Sequence, residues 1–376
     1  MWDMNTNEDD YSETDLRELT TEPMFPVHIE GVEPLTMFSL EHWLVLYTHG
    51  LAPQPPYLLA PFPAQIHTQT ELMGNLAEWE LLKGTALDAD LDYILNALAS
   101  EHTNIIAGKL MLPQRAHERV VIYEGVLSES GAPEETTMME QPTYPFIIVK
   151  TYDGRIISAL SMDKGLTINV APIGERTYAE AFADELAAMF DPEGAWKPAT
   201  IRTIHVPASA ATDPEVVNLG SGDGDTARQA RQDLVERHVV HGDTIDALAA
   251  VNALDKFALV TFTPIIKLQD DSIYAHPDGS GSLVLASKDG AVPRAYVTAP
   301  EVDGNGRETY LYAPYSRAAL LRGVEESYKT TAHLLRTRGL DDETNPFHVL
   351  RMGVEGAINA GLTGTPAEQP QVREGS

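Results

Sequence analysis

A chain of 376 residues is long enough for roughly two or three cores, and without a cysteine it can hold no disulfide, zinc–thiolate site, iron–sulfur cluster or cysteine nucleophile. Its 56 acidic against 26 basic residues give a formal charge of -30, which argues against binding nucleic acid or an anionic membrane surface, where Lys and Arg must neutralise phosphate. No apolar run approaches the roughly 20 residues of a spanning helix, and the acidic start is the opposite of a basic signal-peptide start, so a cytoplasmic location is expected.

Residues 1–34 open with Asp3, Glu8, Asp9, Asp10, Glu13, Asp15, Glu18 and Glu22 against the single base Arg17 of that acidic stretch, a composition expected of a disordered tail. Ser39 then opens a helix with Leu40, Trp43, Leu44 and Tyr47 on one face, and Gly50 stops it. Prolines from Pro53 to Pro63 exclude helix and central strand. Helices are predicted over 66–83 and over 88–99, the second capped by Asp88, and strands over 104–112 and 119–127. From Ser128 to Tyr144 the composition reads as an unusually long loop, with Met138 and Met139 flanked by Glu134, Glu135 and Glu140.

The centre of the chain is a unit that occurs twice. Phe146–Val149, Asp153-Gly154, Ile156–Leu160, Leu166–Pro172 and a helix after Thr177 form the first copy. Leu283–Leu285, Asp289-Gly290, Ala295–Val297, Tyr310–Pro314 and a helix opened by Ser316 form the second. The Ala-Pro pair lies 18 positions after the glycine in one copy (172 minus 154) and 24 in the other (314 minus 290), so about six residues are inserted, most simply at Asp303-Gly304-Asn305-Gly306. Asp-Gly tolerates positive φ and predicts two-residue hairpins, so both copies are expected to be antiparallel strands followed by a helix. The first helix should turn Tyr178, Phe182, Leu186 and Met189 inward.

Between the copies, Trp196–Ala211 reads as strand or extended linker, a helix spans about 226–240, and Asp243 caps another to Leu254. Phe257–Phe262 is strongly β, and Pro264 behind it suggests an edge or bulge. A last helix is predicted over 346–360, with Phe347, Leu350, Val354, Ala357 and Ile358 on one stripe and a disordered tail beyond it.

The search for catalytic chemistry finds one decoy. Val216-Val217-Asn218-Leu219 followed by Gly220, Gly222 and Gly224 resembles the strand-to-glycine loop of S-adenosylmethionine-dependent methyltransferases, but two helices rather than an acidic-ended strand follow it. His238 and His241 lack an evident third metal ligand, and no Walker loop, nucleophile elbow or His-Glu-x-x-His sequence occurs. Neither a cofactor, a metal nor a catalytic residue is expected.

The layout resembles the EspG family, cytosolic chaperones of actinobacterial type VII (ESX) secretion. The residues that carry the resemblance are Ser39–Tyr47 with Gly50-Leu51, Leu87–Leu91, Tyr152–Arg155, the helix after Pro172, Val206–Ala208 and Asp289-Gly290. The resemblance implies an α/β (α+β) fold of two related sheet-plus-helix halves about a central antiparallel sheet, with pseudo-twofold symmetry. The halves would span 35–200 and 201–330, followed by carboxyl-terminal helices over 331–362 and a tail over 363–376. It further implies a non-catalytic protein that binds the helical tip of PE/PPE heterodimers or other ESX substrates, keeps them soluble and directs them to their secretion machinery. The expected contacts are Met138, Met139, Glu134 and Glu135 from the long loop, with Tyr296, Tyr310 and Tyr312 as aromatic anchors from the strands. A methyltransferase using the 220–224 loop and a self-associating structural protein are the alternatives.

Overall fold

The computed structural model describes residues 37–59, 67–100, 105–127, 133–162, 165–219, 224–267, 273–288, 291–302 and 306–337. The acidic tail, the 346–360 helix, the carboxyl-terminal tail, most of the 220–224 loop, the Asp289-Gly290 turn and Asp303-Gly304-Asn305 lie outside them.

Local capping chemistry begins the helices where the sequence places it. Ser39 and Thr68 form capping boxes at α1 (Leu40–Thr48) and α2 (Gln69–Glu78), and a short clip of β1 (Leu82–Lys83) and β2 (Ala86–Leu87) follows. Asp88 accepts from the amides of Asp90 and Leu91 to start α3 (Ala89–Ala99). The second helix is shorter than predicted, because Trp79 closes it and the chain turns through Glu80 and Gly84 at positive φ. The buried face of α1 also differs. Leu40, Trp43, Val45 and Leu46 are buried and Tyr47 is exposed, because the helix is packed on two sides rather than one.

Six strands, β3 (Ile105–Met111), β4 (His117–Leu127), β5 (Pro133–Glu140), β6 (Thr143–Lys150), β7 (Arg155–Met162) and β8 (Gly165–Pro172), lead to α4 (Tyr178–Phe190). Next come β9 (Ile204–Pro207), α5 (Ala208–Ala211), α6 (Pro214–Asn218), α7 (Gly224–His238) and α8 (Gly242–Asn252). The N-cap position of α8 is His241, without a side-chain capping bond, so Asp243 is not the cap. The described residues finish with β10 (Asp255–Lys267), β11 (Ile273–Tyr274), β12 (Gly281–Ser287), β13 (Arg294–Val302), β14 (Glu308–Pro314) and α9 (Arg317–Thr337).

One antiparallel sheet runs β8-β7-β6-β3-β10-β12-β13-β14-β9, with β11 attached to β10. Its order is symmetric about the β3–β10 pair. On each side a central strand is followed by a three-strand meander and then by a helix, α4 or α9. This is the duplicated unit, and the fold is the expected α/β arrangement of two related halves about an antiparallel sheet. Strands β4 and β5 stand outside it as a separate two-stranded arm.

Three sequence expectations need correction. The first hairpin has a three-residue loop, Tyr152–Gly154: Thr151 N donates to Arg155 O at 2.9 Å, and only Gly154 takes positive φ (80°), while Asp153 accepts from the hydroxyls of Thr151 and Tyr93. In the second copy the Ala286–Arg294 pair encloses residues 287–293, too many for a two-residue turn. Finally, β10 is central rather than an edge. It pairs with β3 through Pro264–Ile106, but β12 stops at Phe262–Gly281, so the proline falls where β12 no longer pairs.

Apolar side chains alternate between the faces. On one, Ala107, Ile147, Val149, Ile157 and Ile265 pack beneath α1–α3. On the other, Ile106, Phe146, Ile148, Val260, Phe262 and Val297 pack beneath α4 and α9, with Phe182 of α4 stacked on Tyr328 of α9 at 6.2 Å. Each such burial contributes about 1.5–3 kcal/mol. Arg317 donates both ways to Asp184 (2.6 and 3.0 Å) and Arg176 joins at 3.0 Å, which pins the two helices together. Over the second half, the first face is covered by α6–α8 through Ile204, Val206, Leu234, Ile245 and Leu248.

Helix α9 approaches the sheet closely because the facing residues are small. A Cβ on Gly281 would stand 2.4 Å from Phe262 Cζ and 2.8 Å from Ser327 Oγ. Gly281→Val should therefore destabilise the protein by roughly 2 kcal/mol or more, read as a lower denaturation midpoint in urea, whereas Gly74→Val, inside α2 with nothing within 4 Å, should not lower it, because valine is the better helix former by under about 1 kcal/mol.

His42 gives the fold an acid limit. Its ring is fully buried against Phe38 and Trp79, and its Nδ1 accepts from the Ser39 amide at 3.2 Å. Burial, and then the neighbouring His67, lower its pKa to about 4. The unfolded chain, with an ordinary histidine near 6.5, takes up the proton first. Stability is therefore complete above about pH 6.5 and falls by up to about 3 kcal/mol as pH drops toward 4. His42→Gln should flatten that part of the stability–pH curve between pH 7 and 4.5; identical slopes for the two chains would clear His42.

Candidate partner-binding surface

Among the described residues, the two helical layers of the first face leave a band of sheet between them. Strand pairing lines up Pro145, Lys109, Thr261, Ser282, Thr298 and Tyr312 as one cross-strand row over β6, β3, β10, β12, β13 and β14. Lys109 is exposed and Thr261, Ser282 and Thr298 are half-buried, and these four belong to none of the apolar clusters. The row is thus a shallow floor of short hydroxyl side chains with one cation, walled by α1–α3 on one side and the α6–α8 layer on the other. Sequence reasoning missed it. The signal was present as a polar residue inside each apolar strand, but only the register shows that they adjoin.

At one end of the floor rises the arm. The long loop predicted from Ser128 to Tyr144 is instead mostly strand: β5 pairs with β4 from Glu140–His117 to Glu134–Tyr123, and Ser128–Ala132 lie outside the described residues. Glycine, proline and acidic residues at its start suggested a loop, but Thr136 and Thr137 face the β-formers Val120 and Val121 and favour a ladder. At about 3.3 Å per residue, the 11 residues of β4 reach some 35 Å. Glu134, Glu135, Met138 and Met139 all lie on β5.

The predicted tyrosines separate. Tyr296 is 2% exposed, enclosed with Val251, Val284 and Ala286, and its hydroxyl pKa is raised by that burial, so it is core and not an exposed anchor. Tyr312 is half-buried, and burial followed by neighbouring Tyr310 pushes it up to about 12. Tyr310 lines a cavity of about 300 Å³ with Ser209, Glu301 and Glu308. The buried Glu301 beside it meets His205 Nδ1 and Arg322 Nη2, each at 2.7 Å.

The enzymatic decoy takes a different shape from the motif. Val216-Val217-Asn218 is the end of α6, so a helix and not a strand enters the glycine loop. His238 Nε2 lies 2.9 Å from Asp213, while His241 sits ahead of α8; among the described residues no group of three or more His, Asp or Glu could hold a metal.

No family model matches this chain, and no curated protein matches it. Among solved structures it resembles the Mycobacterium tuberculosis type VII secretion system chaperone EspG5, determined in complex with the PE25–PPE41 dimer. The TM-score is 0.52 at 14% identity, over 78% of this chain and 95% of that one. The fold is EspG-like. The likeness spans nearly all of the EspG5 chain, so both halves of the symmetric sheet are included. Among the described residues no helix is long and apolar enough to cross a membrane.

Because no strand enters the glycine loop, calorimetric titration of the full chain with S-adenosylmethionine should give no saturable heat. Binding that is lost in Gly222→Leu would reverse this assignment.

Proposed function

We propose that this protein is a non-catalytic cytoplasmic chaperone of type VII secretion, which cradles the helical end of a PE/PPE-like pair or a comparable ESX substrate and keeps it soluble until export. The carrying observation is the EspG-like fold over 95% of a chaperone whose structure was determined with a bound PE–PPE dimer. Supporting it, among the described residues the sheet leaves a floor that neither helical layer covers, with a long arm at its edge, the form a helical tip would need. The halves 35–200 and 201–330 and the absence of a cofactor belong to the same reading.

Within it, Lys109, Thr261, Ser282 and Thr298 form the seat, and Met138, Met139, Glu134 and Glu135 of the arm supply adaptable contacts inside an acidic rim. Tyr310 and Tyr312 stand at the far end of the seat.

Coexpression with helical pairs encoded beside ESX systems, followed by size exclusion and calorimetry, tests the reading. A 1:1 complex with one such pair is expected. Thr261→Arg with Ser282→Arg should abolish it by filling the seat. Met138→Ala with Met139→Ala should weaken it about thirtyfold, about 2 kcal/mol, and leave the melting temperature unchanged. Failure of all helical pairs to bind, or binding indifferent to both double variants, would remove the seat and the arm from the function.

A further inference from the structure

Helix α9 carries more apolar surface than it lays on the sheet. Leu320, Val324, Ser327, Thr331 and Leu334 are its buried side. Next to that side, Leu321, Tyr328, Ala332 and Leu335 form a second, half-buried stripe, with helical steps of seven, four and three. Leu321 and Tyr328 pack into the core under α4, but Ala332 and Leu335, further along, belong to none of the apolar clusters. The opposite flank of α9 carries Arg322, Glu326 and His333 and is polar.

Where the second stripe passes α4 there is a groove. A cavity of about 340 Å³ opens between Tyr178, Ala179 and Phe182 of α4 and Glu325, Tyr328 and Lys329 of α9, and these two helices supply its described lining. Phe182 is fully buried, whereas Tyr178 is 43% exposed, with Lys150 Nζ 3.8 Å over its ring. Apolar grooves of this kind take an amphipathic helix through anchors at i, i+3, i+4 and i+7.

The chain itself encodes a stripe of that spacing shortly after α9. The described residues end at Thr337. Gly339 suits the end of one helix, Asn345-Pro346 suits the start of the next, and the stripe predicted over 346–360 is Phe347, Leu350, Val354, Ala357 and Ile358. The intervening residues 338–345 have a length that joins antiparallel helical neighbours. Gly353 and Gly356 weaken such a helix in isolation, so it needs a surface to form on.

We propose that residues 346–360 dock as a helix in the α4–α9 groove, running antiparallel to α9. The spacings set the register. Val354 placed against Tyr328 puts Leu350 against Ala332 and Phe347 against Leu335, because both stripes step by four and then three, and it brings Ala357 and Ile358 to the groove beside Glu325 and Tyr178. At about 1.5 Å per residue, 346–360 spans some 22 Å, close to the distance back along α9 from Leu335 to Leu321. The polar flank of α9 offers the stripe nothing to pack on, which leaves the α4 side. This groove lies on the face of the sheet opposite the floor, and the inference does not rest on the chaperone reading.

The test uses the full chain, which has no native cysteine. Under mild oxidation, Ala332→Cys with Leu350→Cys should close an intrachain disulfide at least about tenfold faster than Ala332→Cys with Met352→Cys, whose second position falls on the far side of the same helix. Amide exchange over 347–360 should be at least about tenfold slower than in a synthetic peptide of that sequence. Tyr178→Asp, an exposed replacement in the first turn of α4, should remove most of that protection while exchange in β3 and β10 stays as in the parent chain. Equal closure of the two cysteine pairs, exchange over 347–360 as fast as in the peptide, or protection indifferent to Tyr178→Asp would overturn the proposal. So would a 332–350 disulfide that runs between two chains, which would assign the groove to a second copy.

Discussion

Everything in this molecule depends on the pairing of β3 with β10. These two strands are 150 residues apart along the chain, yet they join over seven residue pairs from Leu259–Met111 to Ile265–Ile105, and they are the seam at which two meanders become one sheet. The seam is closely packed. A Cβ on Gly108 would stand 2.0 Å from the Thr261 carbonyl and 2.5 Å from the Phe146 ring, so a side chain there would part the strands or displace the phenylalanine. Phe146, Ile106, Val260 and Phe262 then form a single apolar floor under α4 and α9. Neither half could bury that surface alone.

What the sequence made legible was local. Ser39, Asp88, Thr177 and Ser316 each cap the helix assigned to them, because a side chain accepting from an amide two or three residues on needs no tertiary partner. The meanders were legible through apolar runs and the repeat. Turn geometry was not, since Asp-Gly fits both the two-residue hairpin and the three-residue loop that Tyr152–Gly154 adopts. The arm was missed because β4 and β5 pair mainly with each other, and composition at the start of the segment spoke more loudly than Thr136 and Thr137 within it. The floor could not be read at all: Lys109, Thr261, Ser282 and Thr298 become neighbours only through three separate strand registers.

The departures from symmetry are where the two halves have specialised. Each half sends a helical block ahead of its central strand, α1–α3 before β3 and α5–α8 before β10, and both blocks cover the same face. Between central strand and meander the first half inserts the β4–β5 arm, whereas among the described residues the second has the two-residue strand β11 and a helical turn at Pro277–Gly279. Among the described residues, the outer edge of the second half is closed by the strand β9, whereas on that of the first Phe38 takes the Leu166 amide.

The chemistry of the floor also decides how binding energy must be divided. Threonine and serine side chains are short, so a row of them admits a close backbone approach but buries little apolar area, and residues of this kind are rarely the sites whose truncation costs 2 kcal/mol or more. Tyr296, large enough to anchor a partner, is already spent on the core. In the proposed function the floor would fix the position and orientation of a partner through hydroxyls and the Lys109 charge, and most of the affinity would come from what rises around it. Of the elements beside the floor, the arm has the length, and methionine is the residue type suited to adaptable apolar contact. Under the proposed function, seat and arm would be complementary: one would select shape, the other supply contact, and a partner that fits the first without reaching the second would bind weakly.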